Sequence, residues 1–251
     1  MPSTRPCLVA HRGYAAQYPE NTLESVEAAL KAGAQHIEID VQLTQDEIPV
    51  LFHDAQLERT SNGQGAVFEH SFDQLKTLSA GEPARFGDRF TSVSIPTLQA
   101  CVKLLESWPQ ATLFVELKEE SLRQFGNQRV VTRVLDVLSP ISQRCVIISY
   151  NQSVLGDVRL QGACPVGWVI TTWNTKSKRL AQRLNPEFLI VNHQKIPKEG
   201  AALWSGPWKW VVYEVTSSEH AHELHQQGVE FVETMQVEEV LQGLSKAACT
   251  E

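Results

Sequence analysis

The chain has 251 residues, 42% hydrophobic and 20% charged, enough apolar side chains to bury a large core and too many for wholesale disorder. Its 22 basic and 29 acidic side chains leave a formal net charge of −7, which argues against a general nucleic-acid binder or a protein held on anionic membranes. Five scattered cysteines (Cys7, Cys101, Cys145, Cys164 and Cys249) include no CxxC pair, so neither a zinc knuckle nor a disulfide framework is expected.

From the first residues onward, short apolar runs alternate with helical patterns. The opening stretch holds only four consecutive apolar residues, too few for a signal peptide, and no run approaches a membrane span. The expectation is a cytoplasmic protein without stable membrane insertion. Strands are predicted over 7–10, 35–43, 48–52, 112–117, 145–149, 166–170, 188–191, 210–215 and 231–233. Helices are predicted over 23–31, 72–78, 98–107, 128–138, 153–160, 177–184, 197–204, 218–227 and 237–245. Asn21 with Glu24 reads as an N-cap and its partner carboxylate, and Gly33 and Gly228 fall where C-terminal caps belong. Strict β-α alternation implies a parallel sheet covered by helices, and about eight units in this length match a closed (β/α)8 TIM barrel. An open doubly wound sheet ranks second, because no glycine-rich turn follows the first strand. The least regular stretch, about 54–96, reads as an insertion packed over one end of a barrel that spans 1–251 as one domain.

Barrels of this kind build their sites at the C-terminal ends of their strands. Glu38 and Asp40 stand two residues apart in a strand, so both face the barrel interior while Ile37, Ile39 and Val41 face the helices. Two carboxylates buried side by side repel unless a proton or cation lies between them, and a hard divalent metal ion, Mg²⁺ or Ca²⁺, suits their oxygens. Glu116, closing a neighbouring strand, is the natural third metal ligand. A purely structural set of ion pairs is the plainer alternative. His11 and His53 both end strands; imidazoles there serve as an acid and base pair or as metal ligands, and the all-oxygen trio favours the first. Arg12 and Lys118 offer a fork and a point charge for phosphate, or salt bridges to these same carboxylates. Together these residues describe a phosphodiester-cleaving site.

The sequence resembles the glycerophosphodiester phosphodiesterases in His11-Arg12-Gly13, Pro19-Glu20-Asn21-Thr22, Glu38-Ile39-Asp40-Val41 and Leu51-Phe52-His53-Asp54. The likeness continues in Leu57-Glu58-Arg59-Thr60, Asn62-Gly63-Gln64-Gly65, Ile95-Pro96-Thr97-Leu98 and Val115-Glu116-Leu117-Lys118. This resemblance implies a TIM barrel with a short insertion after the second strand. It also implies metal-dependent hydrolysis of deacylated phospholipids to an alcohol and glycerol 3-phosphate. Carried over residue by residue, Glu38, Asp40 and Glu116 would be metal ligands, His11 and His53 catalytic, and Arg12 and Lys118 phosphate contacts. Glu20 and Asn21 would stand behind His11, with Asn21 capping the first helix.

The second half departs from the family pattern, with Tyr213-Glu214-Val215-Thr216 and Glu233-Thr234-Met235 where a tryptophan-x-valine-asparagine strand and a threonine-aspartate end are usual. These positions would line the pocket opposite the metal, with Tyr213 as a substrate-binding residue and Glu214 or Glu233 as added carboxylates toward a cationic choline or ethanolamine headgroup, or toward a different polyol. Phe52, Tyr150 and Trp173 are further candidates for that wall, while Trp204, Trp208 and Trp210 read as packing residues. The partner is a small-molecule diester rather than nucleic acid, with self-assembly into a homo-oligomer left open. Lysophospholipase D activity, or a barrel kept only for binding, are the rival readings. A metal-dependent amidohydrolase is rejected for want of a His-x-His after the first strand.

Overall fold

The structure, a computed structural model, describes residues 5–162, 164–197 and 202–247. Nine strands are present among them: β1 (Cys7–His11), β2 (His36–Leu43), β3 (Pro49–Leu51), β4 (Thr112–Leu117), β5 (Cys145–Ser149), β6 (Val166–Ile170), β7 (Phe188–Asn192), β8 (Lys209–Tyr213) and β9 (Phe231–Thr234). Eight run parallel and close on themselves, because β1 pairs with both β2 and β9. The ninth, β3, adds antiparallel to the end of β2, with Val41 opposite Leu51. The result is the expected (β/α)8 barrel.

The helices are α1 (Leu23–Lys31), α2 (Phe72–Leu75), α3 (Pro83–Phe86), α4 (Leu98–Leu105), α5 (Glu119–Phe125), α6 (Asn127–Leu138), α7 (Gln152–Gln161), α8 (Thr175–Leu184), α9 (Ser218–Gln226) and α10 (Val237–Ala247). Strand side chains alternate between two cores, as a two-residue period dictates. Leu8, Ala10, Ile37, Ile39, Leu113, Val115 and Ile147 join the layer between barrel and helices. Val9, Phe114, Val146, Ile148, Val169, Ile190, Val211 and Phe231 fill the interior. Rings of Phe114, Phe188 and Phe231 pack edge-on or tilted at centroid distances of 5.1–6.2 Å, and His36 stands 5.2 Å from Phe231. This aromatic plug occupies the N-terminal half, with Lys209 over the Phe188 and Phe231 rings, and the cluster of carboxylates lies at the other end.

Two local expectations are corrected. The first concerns the cap of α1, which is Thr22 rather than Asn21. Thr22 Oγ1 accepts from the Ser25 amide at 3.1 Å, and Ser25 Oγ accepts from the Thr22 amide at 3.3 Å. Asn21 instead sits at a φ of 55°, which turns its side chain away from the helix. The second concerns 197–204, where no helix forms among the described residues; 198–201 lie outside them. Here four tryptophans supply the packing: the Trp173 ring lies 4.4 Å from that of Trp204, and Trp208 and Trp210 both donate their indole N–H to the Trp204 carbonyl. Helix α5 escapes the sequence pattern because only Leu122 and Phe125 break its polar run.

The stretch between β3 and α4 has its own small core of Val50, Phe52, Leu57, Val67, Leu75, Ala80 and Ile95. It is tied to the barrel mouth by Arg85, which pairs with Glu82 at 2.7 Å and reaches the Ala15 carbonyl. Arg59 supplies a second link, to Glu20.

Candidate active site

Strand register sets the site. His11 lies opposite Glu38 across β1 and β2, and Asp40 lies opposite Glu116 across β2 and β4. All are at the C-terminal end, and all point inward because they continue the alternation that buries Val9 and Phe114. Arg12 takes a φ of 57° directly after β1, and Gly13 one of 79°. Only glycine fits that second position, since a Cβ would lie 2.4 Å from Ser25 Oγ and 2.5 Å from the Ser25 carbonyl carbon. This tight turn folds the Arg12 guanidinium back over the carboxylates.

The contacts form one network. Arg12 donates its amide to Glu38 Oε2 at 3.1 Å and a guanidinium N–H to Glu20 Oε1 at 2.9 Å, and its Nε lies 3.2 Å from Asp40 Oδ2. Lys118 Nζ stands between Glu116 Oε1 at 2.9 Å and Asp40 Oδ1 at 3.2 Å. Asn21 holds Asp40 twice, donating from Nδ2 to Oδ2 at 2.8 Å and accepting the Asp40 amide at 2.9 Å. Arg59, from the insertion, bridges Glu20 at 2.6 Å and Asp54. Asp54 in turn contacts His53 Nδ1 at 2.6 Å, so this ring presents Nε2 to the cavity. Gln42 fixes the same loop by donating to the Phe52 and His53 carbonyls.

Electrostatics divide the acids. Burial works against the charge of Asp40, but Lys118 and Arg12 overcome it and hold the carboxyl well below the usual carboxylate range. Glu38 is pushed far up by burial and then by Asp40 and Glu233. Glu116 rises to about 6 through burial, with Asp40 adding to the shift and Lys118 opposing it. Glu233 rises to about 8, again through burial and then Glu116. His11 falls well below its ordinary value, from burial and then from Arg12. Three carboxyls held up in this way mark uncompensated negative charge. Oxygens of Glu38, Asp40 and Glu116 lie within 4.8 Å of one another, and an all-oxygen set of this kind fits a hard divalent cation.

All eight residues singled out for the site converge on one end of the barrel. His11, Arg12, His53, Glu116, Lys118 and Tyr213 line a cavity of about 230 Å³. Glu38 and Asp40 lie beneath it. Tyr150 lines it too, with its hydroxyl 3.0 Å from that of Tyr213. The other two candidate wall residues do not: Phe52 is buried in the core of the insertion, and Trp173 packs on Trp204 and Trp210. Glu233 is not opposite the carboxylates but among them, its Oε1 3.3 Å from His11 Nε2. The sequence pattern alone does not bring Asn192 or Asn21 into the site. Asn21 is recoverable, since an asparagine beside a buried acid-rich strand end can both donate and accept.

The family model described as the glycerophosphoryl diester phosphodiesterase family matches residues 11–238. The chain belongs to this family. Among curated relatives, a glycerophosphodiester phosphodiesterase of Caldanaerobacter subterraneus subsp. tengcongensis is 29% identical over 210 residues, 80% of this chain and 84% of that protein. One from Bacillus altitudinis is 33% identical over 148 residues, 59% of each chain. Among solved structures, an Oleispira antarctica phosphodiesterase in complex with the product sn-glycerol-3-phosphate superposes with a TM-score of 0.84 at 25% identity, covering 96% of this chain and 97% of that one. A Silicibacter pomeroyi structure reaches a TM-score of 0.86 at 21% identity, covering 98% and 95%, and shares the fold. Membership in this family makes the protein a phosphodiesterase. Among the described residues, no helix is long and apolar enough to cross a membrane.

Proposed function

We propose that the protein hydrolyses glycerophosphodiesters to an alcohol and glycerol 3-phosphate in a reaction that requires a divalent metal ion. The observation that carries this reading is the meeting of Glu38, Asp40 and Glu116 with Arg12, Lys118 and two imidazoles in one cavity. Glu38, Asp40 and Glu116 would hold the cation, which when bound supplies Lewis-acid stabilisation of the phosphoryl oxygens. The trio suits Mg²⁺ and Ca²⁺ alike.

The chain's own groups supply the rest. Arg12 and Lys118 face the diester's phosphoryl oxygens and offset the charge that grows on them as the fifth oxygen approaches. Each is already aligned by carboxylates, so little reorganisation accompanies substrate entry. His11, kept neutral by burial and by Arg12, accepts at Nε2 the proton of the attacking oxygen, and water supplies the hydroxyl that ends on the phosphorus of glycerol 3-phosphate. His53 is the complementary acid: Asp54 steadies its Nδ1–H, and Nε2 gives a proton to the leaving alkoxide. Glu20 and Arg59 lock Arg12 and Asp54 from behind.

Phosphorus NMR tests this directly. Glycerophosphocholine and glycerophosphoethanolamine are incubated with the protein in Mg²⁺, in Ca²⁺ and in excess chelator, beside a His53→Ala variant. Glycerol 3-phosphate is expected with metal and the unaltered protein only. Equal product in chelator would remove the metal from the reading, and no product under any condition would remove the reaction.

A further inference from the structure

The cavity has two chemically different walls. On one side His11, Arg12, His53 and Lys118 stand over the buried acids. Across from them the ends of β5, β7 and β8 present Tyr150, Asn192, Tyr213 and Glu214, and none of these lining residues is basic. Between the walls the floor is Ile148, Val169 and Ile190, which offer no side-chain hydrogen bond.

Glu214 is built into this wall at a cost. Its φ of 63° lies in the left-handed region, unfavourable for a glutamate. Asn192 Nδ2 donates to its Oε2 at 2.6 Å, and Asn192 is itself fixed because Oδ1 accepts the Gln194 amide at 2.9 Å. Oε1 of Glu214 makes no hydrogen bond among the described residues. Beside it, the joined hydroxyls of Tyr150 and Tyr213 hold two phenol rings together at the cavity mouth.

Building on the phosphodiesterase reading above, we propose that this wall is a subsite for a cationic headgroup, an ammonium or quaternary ammonium, with Glu214 as the charge that selects it. The phosphate of a zwitterionic diester faces Arg12 and Lys118 while its amine faces a carboxylate and aromatic rings, so both poles of the substrate meet opposite charge. A polyol headgroup fares worse. Its hydroxyls can bond the Tyr150 and Tyr213 hydroxyls and Glu214, but it brings no positive charge to offset that carboxylate.

The test compares kcat/KM for glycerophosphocholine, glycerophosphoethanolamine and glycerophosphoglycerol in the metal-supplemented wild type and in Glu214→Gln. Glutamine keeps an acceptor oxygen for Asn192 and removes only the charge. The wild type is expected to favour the two cationic diesters by about tenfold or more, and Glu214→Gln to erase most of that ratio, chiefly through KM. No preference in the wild type, or an unchanged ratio in the variant, overturns the proposal. A titration with tetramethylammonium chloride, followed by the broadening of its methyl resonance, gives a readout independent of turnover. If no diester is hydrolysed, the reaction reading falls and this titration decides the subsite alone. Binding that weakens at least about fivefold in Glu214→Gln upholds it, and equal or absent binding refutes it.

Discussion

In the presence of chelator, this protein is expected to become less stable as pH rises from about 6.5 to 8, the reverse of ordinary acid denaturation. The reason lies in Glu233, whose carboxyl keeps its proton to about 8 in the fold and loses it near the ordinary 4.5 in the unfolded chain. A carboxyl with a raised folded pKa adds stability that is complete below the unfolded value and is lost as pH climbs through the folded one. Below 6.5 the trend is masked, since His11 and His36, both held neutral by burial, make the fold gain stability as pH rises toward the ordinary imidazole value of 6.5. Above it both imidazoles are neutral in either state, and Asp54 and Glu20 are ionised in either state. One proton is worth about 1.4 kcal/mol per pH unit, so this window contains about 2 kcal/mol, or about 4–8 °C of Tm in a chain of this size. Glu38, also pushed up, steepens the fall. Circular-dichroism melts in chelator, at several pH values across the window, read this out for the wild type and Glu233→Gln. The variant should flatten the slope by half or more, and added Mg²⁺ should raise Tm more at the alkaline end. A wild-type Tm that is level or rising, or the same fall in Glu233→Gln, would refute the reasoning.

Three further outcomes are expected. Gly13→Ala should cost more than about 4 kcal/mol and leave little soluble protein, because its Cβ meets Ser25 in a left-handed turn; a soluble variant with an unchanged melt would contradict this. Asn21→Ala removes both hydrogen bonds to buried Asp40 and should cost about 2–3 kcal/mol in urea denaturation, whereas a loss below about 0.5 kcal/mol would show that water replaces the amide. Arg59→Met acts through Asp54, held at about 2, and Glu20, also lowered. Stabilisation of this kind is present above the ordinary carboxylate range and disappears as pH falls through the lowered values. The half-exposed Arg59→Met should therefore trail the wild type by about 1 kcal/mol at neutral pH, and the two should converge near pH 2. Parallel curves would be evidence against it.

Much of this site is legible because a barrel strand has a period of two. Glu38-Ile39-Asp40 can place its acids only on the inner face, and the same rule carries His11 and Glu116 there. Strand ends are less transparent, since the path of the chain beyond them depends on loop geometry. Asn21 and Thr22 are both good capping residues, and only the turn at Gly13, seated against Ser25, decides that Thr22 caps while Asn21 reaches Asp40. The far wall expected for Glu233 disregards the closure that the expected barrel itself implies. Closure of the barrel instead makes β9 the neighbour of β1, with Glu233 opposite Val9, two residues before His11 and on the same inner face.

The plug of Phe114, Phe188, Phe231 and His36 makes the barrel a chamber with one doorway. Nothing that enters at the mouth can leave through the base. On the proposed reaction, alcohol and glycerol phosphate would both leave by the mouth of the cavity that His53 and Tyr213 line, the side from which the next diester arrives. On that reaction, traffic through that opening is two-way, and departing glycerol phosphate would compete with incoming diester for Arg12 and Lys118.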